Sequence, residues 1–172
     1  MSSLVISGDT SGTVTVTVPA VAGTNTVTIP ASTGTVMVSG NMPAFSAYQS
    51  SAQTLSTTTN TKLLFQTKEF DTNSNFANST FTPTVAGYYQ VSASMRVGSS
   101  ATTVRMMIWK NGNQYKLGTD VNNVVNNGLV STLVYCNGTT DYIEAYALIG
   151  SGQALSAAQS DTWFNGSMVR GA

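Results

Sequence analysis

Apolar residues recur at every second position in a succession of short runs along this chain, and no stretch shows a 3.6-residue period bounded by helix caps. Side chains alternate faces along a strand, so this pattern restricts the chain to β-structure. The polar positions agree. The chain holds 26 Thr, 21 Ser and 14 Asn, and only 8% of its residues are charged, against roughly 25% in an average soluble domain. Thr suits a pleated, half-buried surface, and Ser and Asn suit the turns between strands.

The 172 residues divide into two segments with different grammar. In residues 1–41, Gly12-Thr13, Gly23-Thr24 and Gly34-Thr35 recur every 11 residues, and Val16, Val27 and Val38 keep the same spacing, as do Pro19 and Pro30. Each copy reads as a turn followed by a short strand: Thr13–Val18, Asn25–Ile29 and Thr35–Val38. Repeats of this kind bury their apolar face only against a neighbour. Asp9 is the one charge before Lys62, so the segment is poorly solvated as a free tail. It is expected to be an anchoring arm that holds on through Val14, Val16, Val18, Val27, Ile29, Val36 and Val38. Three chains intertwined in a β-prism would satisfy it, and so would strands added to a partner's sheet edge. A disordered Ser/Thr/Gly linker is the alternative.

Residues 42–172 carry the aromatic residues and nearly all the charge. Strand-like runs are predicted at Pro43–Gln49, Lys62–Phe65, Thr80–Pro83, Tyr88–Val97, Thr103–Lys110, Leu129–Tyr135, Tyr142–Leu148 and Thr162–Val169. That count suits a two-sheet sandwich or jelly roll. Alternation separates the faces. Tyr89, Val91, Ala93, Met95 and Val97 share one side, and Tyr88, Gln90, Ser92, Ser94 and Arg96 the other. Val104, Met106 and Ile108 face one way, while Met107 and Trp109 face the other beside Arg105, so that strand is expected to be covered on both sides. Ile143, Ala145 and Ala147 read as core, which turns Tyr142, Glu144 and Tyr146 outward. An outward face bearing Tyr and Trp is the composition found at the centre of protein interfaces. Scattered exposed aromatics are the plainer alternative.

The missing residue types exclude much chemistry. The chain has no His and a single Cys, Cys136. Ser-His-Asp triads, Cys-His pairs, His-ligated zinc and an internal disulfide are therefore ruled out. Formal net charge is zero with no basic stripe, which argues against nucleic acid. No apolar window approaches the roughly 18 residues of a membrane span, and no basic amphipathic helix is present. Met1–Asp9 lacks the basic region of a signal peptide, so assembly in a cytoplasm is expected. Only carboxylate chemistry remains, with Glu69, Asp71, Asp120, Asp141, Glu144 and Asp161 available for a glycan-cleaving pair. Solvation or pairing with Lys and Arg is the plainer reading of these groups. Asp120 with Asn122 and Asn123 could supply oxygen ligands to calcium. No catalytic residue, cofactor or metal site is assigned.

Several motifs occur in order from Pro43 to Val169. They begin with Pro43-Ala44-Phe45-Ser46-Ala47 and Phe81-Thr82-Pro83-Thr84-Val85-Ala86-Gly87-Tyr88-Tyr89-Gln90-Val91. They continue with Ile108-Trp109-Lys110-Asn111-Gly112, Thr140-Asp141-Tyr142-Ile143 and Trp163-Phe164-Asn165-Gly166. This stretch resembles the trimeric jelly-roll family shared by tumour necrosis factor and the globular heads of complement and collagen-like proteins. The resemblance implies a tumour-necrosis-factor-like jelly-roll sandwich and a homotrimer. The residues assigned to the trimer interface are Tyr88, Met107, Trp109, Tyr142, Tyr146 and Phe164. The 11-residue repeat resembles the Gly-Thr/Val/Pro segments of phage tail-fibre and capsid-decoration proteins. Together the two resemblances imply a bacteriophage virion protein. The expected form is a homotrimeric capsid decoration (cement) or short head-fibre protein, bound to the major capsid protein or another virion protein through its arm. The short chain favours decoration over a long fibre. The alternative is a tail-fibre or receptor-binding tip whose Asn-rich loops, Thr119–Gly128 and Gly150–Gln153, contact host glycan.

Overall fold

The computed structural model describes residues 3–28, 31, 33–122 and 125–172. The chain forms two compact units, Met1–Gly34 and Thr35–Ala172.

The first unit contains one antiparallel hairpin, β1 (Ser3–Ser7) with β2 (Thr13–Thr17). Its register pairs Leu4 with Val16 and Ile6 with Val14, which sets these four on one face. The second and third repeats were expected to be strands as well. Thr24–Thr28 and Thr35–Val38 contain none, and Ile29 lies outside the described residues. A strand needs a partner for its backbone donors and acceptors. The first repeat finds one in β1, whereas among the described residues no strand pairs with the other two. The third repeat also leaves the arm. Met37 packs on the core of the second unit, and Asn41 clasps the backbone of Val38 (2.7 Å) and Val36 (3.3 Å).

The second unit is an all-β sandwich. Its strands are β3 (Ala44–Tyr48), β4 (Thr54–Leu55), β5 (Thr61–Lys62), β6 (Thr67–Asp71), β7 (Phe76–Ala77), β8 (Thr80–Phe81), β9 (Gly87–Ala101), β10 (Val104–Lys110), β11 (Asn113–Val121), β12 (Val125–Cys136), β13 (Ile143–Ile149), β14 (Gln153–Ala154) and β15 (Trp163–Gly171). One sheet has the order β12-β9-β15-β3-β6, and the other β11-β10-β13-β8-β7 with β5 beside β13. The short strands β14 and β4 pair with each other.

The inner faces follow the alternation in the sequence. Tyr89, Val91, Ala93 and Met95 from β9, Val104, Met106 and Ile108 from β10, and Ile143, Ala145 and Ala147 from β13 are all fully buried. One end of the core is aromatic: Phe45 stacks on Phe76 and Phe81 with ring centroids 4.8 and 4.3 Å away and meets Phe164 edge-on at 4.9 Å. Gly166 lies where β15 passes this cluster. A Cβ there would stand 2.8 Å from Val91 Cγ1 and 2.9 Å from Phe45 Cε1, so no side chain fits without displacing the core. The Cys136 thiol is buried against the same interior, and burial pushes its pKa up to about 12, which leaves it protonated and unreactive near neutrality.

Asn111-Gly112 forms the β10–β11 turn as its sequence suggests. Both residues take positive φ (53° and 76°), the requirement of a tight two-residue hairpin turn. Asp141 fastens this turn to the one after β12. Its carboxylate accepts hydrogen bonds from Asn111 Nδ2 (2.7 Å), Lys110 Nζ (2.9 Å) and the Asn137 amide (3.0 Å). The Asn111 hydrogen bond, with help from Lys110 and Asn137, holds the Asp141 pKa below its ordinary value of 3.8. A carboxyl with a depressed folded pKa stabilises the fold fully above its unfolded pKa, and that contribution is lost as pH falls through the folded value. Asp141→Ala is therefore expected to cost about 1–2 kcal/mol at pH 7. Denaturant unfolding should show the gap between variant and parent closing as the pH is taken below 3.8.

Candidate self-association face

The outer face of the β12-β9-β15-β3-β6 sheet carries apolar side chains that stand partly exposed. Along β9 and β12 the register pairs Tyr88 with Tyr135, Gln90 with Leu133, Ser92 with Ser131 and Ser94 with Leu129. Because β12 sets Val130, Val134 and Cys136 into the core, its other parity must point outward. Leu129 is 50% exposed, Leu133 47%, Tyr135 41% and Tyr88 38%.

Polar groups between them are satisfied locally and carry no charge. Ser131 accepts from Gln90 Nε2 (2.8 Å) and shares a 2.7 Å hydrogen bond with Ser92. The Tyr88 and Tyr135 rings lie 5.4 Å apart, with Arg170 over the first (6.0 Å) and Lys110 over the second (5.8 Å). The result is an uncharged, half-apolar strip with cations at one end and Arg96, which pairs with Asp161 at 3.6 Å, at the other. A strip of this kind fits the desolvated centre of an interface, since its burial strands no charge.

The structure redistributes the six residues assigned to an interface from sequence. Tyr88 alone lies on this strip. Phe164 is fully buried among Phe45, Phe65 and Phe76, so it belongs to the core of a single chain and is unavailable to a partner. Met107 is also buried, 1% exposed, on the outer face of the other sheet. Its cover comes from its own chain, since Leu117 and Tyr146 stand directly opposite it. Trp109 and Tyr146 stack at 4.1 Å on that same face. The Tyr142 hydroxyl sits over the Asn111–Gly112 turn, 3.3 Å from where a Cβ on Gly112 would lie. One flat face cannot hold all six. Leu129, Leu133 and Tyr135 were missed, although the run Leu129–Cys136 is apolar at both parities, as a strand covered on both sides should be.

The arm valines do stand in solvent. Val14, Val16, Val18, Val27, Val36 and Val38 are all exposed, from 53% for Val18 to 90% for Val27. The Asn-rich stretch Thr119–Gly128 is largely strand rather than loop: β11 runs to Val121 and β12 starts at Val125. Thr119 Oγ1 ties the two strands by accepting from the Leu129 amide (2.9 Å).

The carboxylates are engaged in structural bonds. Asp120 accepts from Arg105 Nε (2.6 Å), Glu144 from Lys62 Nζ (2.6 Å) and Thr80 Oγ1 (3.1 Å), and Asp71 from the amides of Asn75 (2.8 Å) and Phe76 (3.1 Å). Asp161 accepts from Ser156 Oγ (2.6 Å), and Glu69 from Ser46 and Gln159. Asn122, considered with Asp120 for calcium, instead accepts from Thr103 Oγ1 (3.1 Å), and Asn123 lies outside the described residues. Among the described residues no three His, Cys, Asp or Glu side chains gather closely enough to hold a metal ion.

Comparison with solved structures places the fold. Murine APRIL at pH 8.0 superimposes with a TM-score of 0.59 at 10% identity, over 74% of this chain and 99% of that one. Eiger TNF from S. frugiperda gives 0.57 at 9% identity, over 76% and 93%. The globular domain of zebrafish complement 1qA protein gives 0.52 at 19% identity, over 76% and 98%. The second unit is thus a tumour-necrosis-factor-like jelly roll. No family model and no curated protein sequence matches the chain.

Proposed function

We propose that this chain is a homotrimeric structural protein of a bacteriophage particle, a capsid decoration (cement) or short head-fibre protein. It assembles in the host cytoplasm and works by binding, not by catalysis. Trimerisation covers the Leu129–Leu133–Tyr135–Tyr88 strip of each head, and closed cyclic symmetry would suit a threefold site on a capsid. The arm holds the major capsid protein or another virion protein.

The observation that carries this reading is the arm. Its valines are exposed, its second repeat has no strand among the described residues, and Asp9 is its sole charge. A segment with unpaired backbone and free apolar side chains is suited to complete itself on another protein's sheet edge. The test uses particles stripped of the protein and the full chain added back. Parent chain should rebind, and chain carrying Val14→Asp and Val27→Asp should lose binding at least tenfold while its oligomeric mass stays unchanged. Equal rebinding would contradict the anchoring role. Imaging the restored particles should find the protein on the capsid. Labelling confined to the tail would favour a receptor-binding tip that recognises host glycan.

A further inference from the structure

Two rows of residues cross the β12-β9-β15-β3-β6 sheet in register on its outer face. One runs Ser131-Ser92-Asn165-Ser46-Phe70, and the next Leu133-Gln90-Ser167-Ala44. Ser, Asn, Gln and Ala fill the middle of the face, and bulky apolar side chains stand on its outermost strands. Leu133 rises from β12 within the strip, and Phe70, 51% exposed, rises from β6. The face is thus raised along β12 and low over β15 and β3. In the low part a groove of about 280 Å³ opens beside Phe70, lined by Ser46, Asn165 and Ser167 and reaching Gln90.

The groove is continuous with the strip, since Gln90 borders both. No charged residue lines it. Glu69, next to Phe70 in sequence, is not among its lining residues, and its carboxylate accepts from Ser46 and Gln159. The groove is smaller than the roughly 300–1,000 Å³ of small-molecule sites, so it suits one apolar side chain better than a free ligand. The chain's own Leu133 cannot supply that side chain. Four strand spacings separate β12 from β6, which is about 19 Å at about 4.8 Å each.

We infer that the groove beside Phe70 receives the Leu133 side chain of a second copy of this chain, so that copies meet raised strip to groove. This rests on the homotrimer proposed above. In a closed ring of three, every contact off the axis is heterologous: a surface on one copy meets a different surface on the next. The sheet face carries both halves of such a contact. The strip is raised, apolar and uncharged, and the groove is low, uncharged and walled by an exposed aromatic ring. Burying one against the other strands no charge. Each copy offers its strip to one neighbour and its groove to the other, which closes the ring without leaving either uncovered.

The test uses full-length chain carrying Phe70→Cys and Leu133→Cys together, with each single variant and the parent alongside. Sedimentation sets the protein concentration at which parent and variants are trimeric. The native thiol, Cys136, is buried and protonated near neutrality, so it does not react. The two new thiols of one chain stand too far apart to join each other. A short bismaleimide should link the double variant into covalent trimers on a denaturing gel and leave both single variants unlinked. Phe70→Ala and Leu133→Ala should each weaken self-association about tenfold, and together by little more than either alone, because both remove the same contact. Both positions are exposed, so neither change should unfold the head. A trimeric parent whose double variant gives no linked species, or whose Leu133→Cys variant links by itself, would overturn the inference and leave the homotrimer standing. So would additive losses from the two alanine variants. A monomeric parent would overturn both readings, and its mass tells that outcome from the others.

Discussion

Phe164→Ala is expected to destabilise the isolated head by about 3–5 kcal/mol, the range for emptying a buried aromatic site. Phe164 touches Phe45 edge-on at 4.9 Å, Phe65 at 5.6 Å and Phe76 at 6.0 Å, so its loss leaves three rings facing a void. The backbone cannot relax into that space cheaply, since β15 is hydrogen-bonded on both sides, to β3 and β9. Urea unfolding should show the full loss in dilute protein, with no dependence on protein concentration. An interface residue would behave differently, because its cost would appear only where copies associate. A concentration-dependent loss for Phe164→Ala would return this residue to the interface that its sequence context suggested.

Leu133→Arg should produce the largest change in assembly. Leu133 is 47% exposed and lies midway along the uncharged strip, so the substitution should alter single-chain stability by no more than about 0.5 kcal/mol. Covered by another copy, the arginine would be buried without a counter-charge, and an unpaired charge at an interface costs several kcal/mol. Self-association should weaken at least a hundredfold while circular dichroism stays that of the parent. Tyr146→Ala is the matched control on the opposite sheet and should leave the mass unchanged. If Tyr146→Ala dissociates the protein and Leu133→Arg does not, the interface has been placed on the wrong sheet.

The inward parity of the central strands was legible in the sequence. β9, β10 and β13 follow their apolar alternation, and Asn111-Gly112 announces its own turn. The edge strands were not. β11 is exposed along nearly its whole length, and β6 carries Lys68, Glu69 and Asp71 in five residues, so neither leaves an apolar pattern. Their order comes from hydrogen bonds to β10 and β3, and sequence does not display which neighbour will be present. The arm shows the converse. Its repeats have the alternation of strands, yet alternation without a partner forms no strand. On the proposed self-association face, the outward parity of Tyr88 was legible through β9, but that of Leu129, Leu133 and Tyr135 stayed hidden because β12 is apolar at both parities. Phe164 was misplaced for a related reason, since an aromatic in a late strand reads the same whether it points inward or outward.

In the proposed homotrimer, further copies of the same chain cover the head's exposed strip. Sedimentation equilibrium of the purified full-length protein at micromolar concentration tests this directly. A single species of three times the 18.0 kDa chain mass is predicted. A stable monomer under those conditions would contradict it.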